Sequence, residues 1–337
     1  MPGWTVSISP HIKGRESTAR IMWTVNACLV PPLILSIFIF GFQTLIISVV
    51  SVLSCVVTEA ISQRLLHRPV TIRDGSAVIT GLLLAYVIPP GVPCWMPVLG
   101  AVMAIYVTKH LFGGLGFNIF NPALIGRAFL MASFPVAMTS AWLMPLHDFS
   151  IFKYMQPGID AVSTATPLYV LKHYGMAALV EQYGSMPSIY KDFFLGIRPG
   201  CIGETSNLLL LLGGIFLIIK RYITWHIPVS VIVTIGLLTW IFGGEGYFTG
   251  DPLLAVLSGG VFLGAIFMAT DYVTSPGQKM AQLIFGFGIG ALTVLIRLKG
   301  GYPEGICYAI LLMNAVTPAF EAWFKPKRFA PPKGMVK

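Results

Sequence analysis

Apolar runs long enough to cross a bilayer recur from one end of this chain to the other, and that pattern decides the solvent in which it folds. A helical crossing of a ~30 Å hydrocarbon layer takes ~20 mostly apolar residues. Such windows occur at 21–40 and 43–62, with weaker or shorter ones at 76–89, 96–112, 119–136, 206–219, 226–243, 252–270, 281–297 and 304–323. Hydrophobic residues make up 55% of the 337 positions and charged residues only 10%, against ~25% charged in a typical soluble domain. The expected fold is an all-α integral membrane protein of about ten transmembrane helices. The first run is too long for a cleavable leader and has no small-residue cleavage site after it, so it is expected to remain as a helix.

Several windows are too short for a full crossing or end in Gly and Pro, as in "YVIPPGVPCW" and "MATDYVTSPG". Broken helices survive in a bilayer only where their freed backbone groups face protein or a water-lined cavity. A site in the middle of the fold is therefore expected. A loose internal repeat divides the spans five and five. "AVITG" at 77–81 resembles "AVLSG" at 255–259, and "FGGLGFNIFNPALIGRAF" at 112–129 has a faint counterpart in "KGGYPEGICYAILLMNAVTPAF" at 299–320. An odd number of spans per unit makes the two copies inverted. The division is then 1–20 as an N-terminal segment, 21–136 and 206–323 as two inverted five-helix repeats, 137–205 as a long loop, and 324–337 as a basic tail. The competing reading is that small residues recur in any packed membrane helix; Gly81, Gly100, Gly126, Gly264 and Gly290 fit close helix packing.

Basic residues orient the chain. With the N-terminus in the cytoplasm, Lys13, Arg15, Arg20, Arg64, Arg68, Arg73, Lys109, Lys220, Arg221, Lys279 and the basic tail fall inside. Only Lys153, Lys172, Lys191, Arg198, Arg297 and Lys299 fall outside. This satisfies the positive-inside rule and puts both termini in the cytoplasm. The net charge of +9 then reads as topology signals beside anionic lipid, not as a nucleic-acid surface.

The longest polar segment, 137–205, falls on the outer face and contains "GIDAVSTATPLYVLK" at 158–172. Small residues there permit close approach of another molecule, and the hydroxyls offer modification sites. By physics alone, a solvated turn is the simpler reading.

The pattern Asp-x-x-Ser/Thr-x-Ala-Thr in this stretch resembles the flavinylation motif, in which a flavin transferase joins FMN to the last Thr through a phosphoester. Together with "SPHIKGRESTARIMWTVNACLVPPL", "RDGSAVITGLLLAY", "GGLGFNIFNPALIGRAF" and "MATDYVTSP", it is similar over nearly the whole chain to one family. That family contains the D subunit of the Rnf complex, the ion-translocating ferredoxin:NAD oxidoreductase, and the B subunit of the sodium-translocating NADH:quinone reductase. The resemblance implies a multi-pass protein of the bacterial cytoplasmic membrane with covalent FMN on Thr166, and Asp160, Ser163 and Ala165 as motif residues. It implies as partners the other subunits of a complex that couples redox chemistry to sodium or proton movement. Thr164 stands where relatives often have Gly, so a second hydroxyl lies two residues before the acceptor.

An outer flavin needs a second carrier to pass electrons across the hydrocarbon layer, and the resemblance implies a noncovalent riboflavin in the cytoplasmic half. Asn118 and Asn121, three residues apart, would share a helical face and address a flavin ring edge, with Phe120 packed nearby. The alternative is that these Asn residues cap or brace a Pro-broken helix.

Arg127 lies within a span, so it needs a flavin or a carboxylate beside it; Glu59, near a span end, could snorkel to the surface. Asp74, Asp251 and Asp271 flank spans as cap or ion-site candidates, with capping favoured. Cys28, Cys55, Cys94, Cys201 and Cys307 form no ligand-spaced pair, so no metal centre is expected; Cys94 and Cys201 could meet. There is no dinucleotide-binding glycine fingerprint, so NAD is expected to bind elsewhere. A urea-type channel or transporter would also show inverted repeats and broken helices, but it gives the 160–166 motif no role.

Overall fold

The computed structural model describes residues 16–146, 165–244, 246–302 and 304–324. Among them there is no strand. The helices are α1 (Thr18–Phe40), α2 (Phe42–Leu65), α3 (Ser76–Tyr86), α4 (Trp95–Val102), α5 (Pro122–Ser133), α6 (Pro135–Ser140) and α7 (Pro167–Tyr183). They continue with α8 (Met186–Leu195), α9 (Asn207–Ile219), α10 (His226–Phe242), α11 (Pro252–Leu257), α12 (Val261–Leu263), α13 (Lys279–Lys299) and α14 (Ile306–Trp323). Wide π-helical turns extend α4 through Met103–His110 and α12 through Gly264–Met268.

Four helices, α1, α2, α13 and α14, are long and apolar enough to cross a membrane. Ser17 starts α1, its Oγ accepting from Arg20 N at 3.2 Å. Gly41, at φ 85°, ends α1 and leads directly into α2. Pro31 and Pro32 deprive carbonyls one turn earlier of their helical donors. At that turn α9 comes close, and a Cβ on Gly213 would stand 3.3 Å from the Cys28 carbonyl oxygen.

The short helices end inside the protein, and buried side chains supply the donors that water would supply elsewhere. Arg297 donates to the carbonyls of Ala255 (2.6 Å) and Ser258 (3.0 Å). Asn207 donates to Leu257 (2.8 Å) and Phe193 (3.0 Å). Asn121 donates to Met268 at 3.2 Å, and Ser51 to Gly81 at 2.8 Å. The broken spans expected from Gly and Pro are therefore present, with their freed ends satisfied by protein.

Some of the helix contacts in one half have counterparts in the other. Helix α2 lies against α3 and α4, as α10 lies against α11 and α13; α4 meets α5, as α13 meets α14. Across the halves, α1 packs on α9 and α5 on α14. Segment 137–205 is not loop throughout. Within it, α7 and α8 bury Leu168, Val170, Leu179, Ile189 and Phe193; α7 packs on α8, and α8 on α9 and α11. Gly175, at φ 80° and ψ −177°, kinks α7.

The glycines singled out for close packing sit at close contacts. A Cβ on Gly81 would lie 2.6 Å from Val52 Cα, and one on Gly126 would lie 2.8 Å from the Gly100 carbonyl. Backbone cannot yield as a flexible side chain can. Gly81→Ala is expected to cost about 1–3 kcal/mol by overpacking, read as a lower Tm in detergent. Gly236→Ala, whose Cβ would meet nothing closer than 3.7 Å, should be neutral or mildly stabilising.

Candidate functional site: two clefts and two buried charge clusters

The first cleft, about 830 Å³, lies between α1, α3, the end of α9 and the segment after the second π-turn. Its walls are apolar, with Ile79, Leu83, Leu217 and Phe267, and Asn118, Lys109, Ser76 and Asp271 supply polar groups. Asn118 and Asn121 both line it, but not by sharing a helical face. Asn118 sits in irregular backbone before α5 and donates to the Phe120 carbonyl at 3.1 Å. Asn121 is the N-cap of α5, its Oδ1 accepting from Ala123 N (3.1 Å) and Leu124 N (3.4 Å). Pro122 at the first helical position starts the helix there, so a helix through both Asn residues is excluded. Phe120 packs against the hydrophobic core and does not line the cleft.

Beside this cleft is the first charge cluster. Lys109 Nζ lies 2.8 and 2.7 Å from the two Glu59 carboxylate oxygens and 2.7 Å from Ser76 Oγ. His110 Nε2 lies 3.9 Å from Glu59. Glu59 is 1% exposed, so it does not snorkel; the last turns of α2 are covered by α3 and the π-turn. The wide turn brings Lys109 inward, whereas basic spacing alone had marked it as a topology signal. Asp74 Oδ1 accepts from Ser76 N (2.9 Å) and Ser76 Oγ (2.7 Å), and Asp251 caps α11 through Leu254 N at 2.9 Å; both act at helix starts. Asp271 accepts from Thr274 Oγ1 at 3.3 Å and lines the cleft.

The second cleft, about 1650 Å³, is bordered by α7, the end of α10, α11 and α13, with Leu168, Lys172, Gly175, Asp251 and Arg297 on its walls. Thr166 is the N-cap of α7, its Oγ1 accepting from Tyr169 N at 3.4 Å, and it is 4% exposed. Ala165 is exposed. Asp160 and Ser163 lie outside the described residues. Lys172 Nζ donates to the Gly300 carbonyl at 2.5 Å. Tyr190 donates to Asp251 at 2.6 Å. Burial first, and that bond second, push its phenol up to about 12, so it remains a donor across the neutral range.

The second charge cluster joins residues far apart in sequence. Arg127 Nη2 pairs with Glu304 at 2.5 Å, and Arg198 Nη2 lies 3.5 Å from Glu204. The partner required for Arg127 is thus a carboxylate. Arg198 and Glu204 escaped sequence reading because they lie in the connections between spans, where charge is ordinarily solvated; Glu304 stands at the edge of the last apolar window, just before α14, and Arg297 closes an apolar run and was taken as flanking it. All five cysteines are free. Cys94 is exposed near Gln43, whereas Cys201 is buried with its thiol directed at the Val87 carbonyl, so these two do not meet.

Buried ion pairs, half-length helices and clefts among apolar helices define a multi-pass membrane protein with internal polar sites. The chain matches the model of the NQR2, RnfD, RnfE family over residues 5–330 and belongs to that family. It is 51% identical to the D subunit of the proton-translocating ferredoxin:NAD(+) oxidoreductase complex of Clostridium ljungdahlii, covering 97% of this chain and 96% of the relative. It is 46% identical to the D subunit of the Na(+)-translocating ferredoxin:NAD(+) oxidoreductase complex of Acetobacterium woodii, covering 96% and 94%. It is 37% identical to the D subunit of the ion-translocating oxidoreductase complex of Escherichia fergusonii, covering 98% and 99%.

Proposed function

We propose that this chain is a membrane electron-transfer subunit of an Rnf-type ion-translocating ferredoxin:NAD oxidoreductase complex, carrying FMN as a phosphoester on Thr166 and a noncovalent riboflavin in the first cleft. The observation that carries the reading is that the motif beginning at Asp160 ends on the residue capping α7. Backbone N–H groups at a helix start favour an anionic phosphoester. Lys172 follows within α7, and both Lys172 and Arg297 line the adjoining cleft. The Thr166 oxygen caps as an acceptor, and an ester oxygen keeps that ability. FMN fits these residues. For riboflavin, the first cleft combines mostly apolar walls with a few convergent polar groups, the make-up of a small-molecule site. Its apolar walls suit an aromatic ring system, while Asn118, Ser76, Lys109 and Asp271 supply donors and acceptors.

Bound flavins supply one- and two-electron redox chemistry; the chain positions them and sets their electrostatics. Thr166 holds one carrier in place, Lys172 and Arg297 offset anionic charge beside it, and the apolar walls of the first cleft limit water around the other. In this reading the two halves are inverted five-helix units, supported by the matching contacts α2–α3 and α10–α11, α2–α4 and α10–α13, and α4–α5 and α13–α14. Both termini are cytoplasmic and the flavin segment is outside, supported by the distribution of Lys and Arg. Partners are the other subunits of the complex, a flavin transferase during maturation and the surrounding lipid; NAD and ferredoxin engage other subunits. A channel would account for the broken helices but not for the motif.

The test is flavin fluorescence that survives denaturing electrophoresis of the full chain co-expressed with a flavin transferase. A dark native chain beside a working transferase control would return the channel reading to first place. For the first cleft, Asn118→Ala is expected to lower the noncovalent flavin released per purified chain several-fold at nearly unchanged Tm. Asn121→Ala should itself cost about 0.5–2 kcal/mol through the lost cap. Equal flavin release from Asn118→Ala and the native chain would remove Asn118 from the site.

A further inference from the structure

We propose that Glu59, Asp74 and Asn121 close the phosphate seats bordering the first cleft, and that with Asp271 they restrict it to an aromatic ligand that carries hydroxyls but no phosphate. The inference rests on the reading of that cleft as a flavin site. What it adds is the set of residues that tells riboflavin from FMN. A phosphate held inside a protein takes an uncompensated cation or the free N–H groups of a helix start. Both kinds of seat border this cleft, and both are already filled by the chain itself.

Lys109 and Asp271 are the only charged side chains on the walls among the described residues. An ammonium has three donors, and those of Lys109 meet Glu59 Oε1 at 2.8 Å, Glu59 Oε2 at 2.7 Å and Ser76 Oγ at 2.7 Å. Ser76 Oγ in turn donates to Asp74 at 2.7 Å, so one cation serves two carboxylates. A neutral ring carbonyl can share one of these hydrogens in a three-centre bond. A phosphate needs a positive charge that nothing else balances, and Lys109 has none to give.

The helix starts are closed in the same way. Ser76 and Pro122, the first residues of α3 and α5, both line the cleft. At α5, Pro122 has no N–H, and Asn121 Oδ1 accepts from Ala123 N at 3.1 Å and Leu124 N at 3.4 Å. At α3, Asp74 Oδ1 accepts from Ser76 N at 2.9 Å and sets a carboxylate against the positive end of the helix. Asp271 adds a further carboxyl on the wall, while Thr80, Thr270 and Tyr222 add hydroxyls suited to a polyol chain. The second cleft has the opposite balance, with Lys172 and Arg297 against Asp251. Charge therefore sorts the two clefts, the second for a phosphorylated ligand and the first for one without phosphate.

The experiment uses the full chain in lipid nanodiscs, co-expressed with a flavin transferase. It is equilibrated with equal, excess concentrations of riboflavin and FMN, freed of unbound flavin by gel filtration and precipitated with acid. Chromatography of the supernatant reads the noncovalent flavins, since an FMN ester stays with the protein. The native chain is expected to release riboflavin over FMN by at least about tenfold, because the phosphate would be buried without a counter-charge. Glu59→Gln leaves Lys109 uncompensated and should cut that ratio several-fold; Glu59→Gln/Lys109→Met, with neither charge, should restore it. A purely structural Glu59 would lower both flavins together and leave their ratio unchanged. Asp271→Asn should also lower the ratio, and it decides the matter if Glu59→Gln does not fold. Native release of both flavins alike overturns the inference while leaving a flavin site. Release of neither removes the flavin reading of this cleft and the inference with it. A native ratio in folded Glu59→Gln, or in Asp271→Asn where only that variant folds, also overturns it.

Discussion

A Thr166→Ala chain co-expressed with a flavin transferase is expected to show no flavin fluorescence after denaturing electrophoresis, while the native chain fluoresces and gains the mass of one FMN residue. The phosphoester requires a hydroxyl, and alanine has none. Thr166→Ser retains the hydroxyl and the cap, so it should restore most of the signal. Thr164→Ala settles the competing hydroxyl two residues earlier and should remain fluorescent. The reverse pattern, a bright Thr166→Ala and a dark Thr164→Ala, would move the acceptor to Thr164. Losing the cap to Tyr169 N should also cost about 0.5–2 kcal/mol, so expression and Tm must be read beside fluorescence. Thr166 is 4% exposed in the packed chain. A transferase can reach its hydroxyl only when the first turn of α7 opens. Attachment should therefore be much faster on newly inserted chain than on purified, folded chain.

Lys109→Met is expected to be the most destabilising single substitution in the first charge cluster. It would leave Glu59 buried without the ammonium that holds both of its oxygens, and breaking a buried pair from one side costs about 3–5 kcal/mol. Tm should fall by several degrees, since a few kcal/mol is a large part of a protein's net stability. The double variant Glu59→Gln/Lys109→Met should recover much of the loss, because no unpaired charge remains. Lys220→Met, on an exposed side chain, is the control. A Lys109→Met chain as stable as that control would show that Glu59 is solvated, not held by Lys109. Lys109 also lines the first cleft, so the double variant separates roles: recovered stability with lost noncovalent flavin would mark Lys109 as a ligand as well as a structural partner.

Helix identity and helix partnership depend on different information. Length and apolarity marked α1, α2, α13 and α14 directly, and "YVIPPGVPCW" and "MATDYVTSPG" marked the breaks, because Pro and Gly act locally on the backbone. Asp251 was legible as a cap for the same reason. Glu59 was not legible as an ion-pair partner: its position near a span end allowed snorkelling, and only the packing of α3 and the π-turn over α2 removes water from it. Arg127 demanded an anion on grounds of burial alone, yet Glu304 lies 177 positions away, and nothing local selects it. Asn118 and Asn121 were placed near one another correctly, but on a helical face that the backbone does not form, because Pro122 starts α5 after them.

By itself the sequence determined the solvent, the helical class, the positions of the breaks, the family resemblance and the motif ending on Thr166, all of which follow from runs and motifs short enough to act through neighbouring residues. Only the tertiary structure decided which charges are paired, which broken ends are capped by Arg297, Asn207 and Asn121, and which residues share a cleft. The physical reason is that a buried charge or carbonyl accepts whichever donor the packing of distant helices delivers, and that choice is a property of three-dimensional distance, not of spacing along the chain.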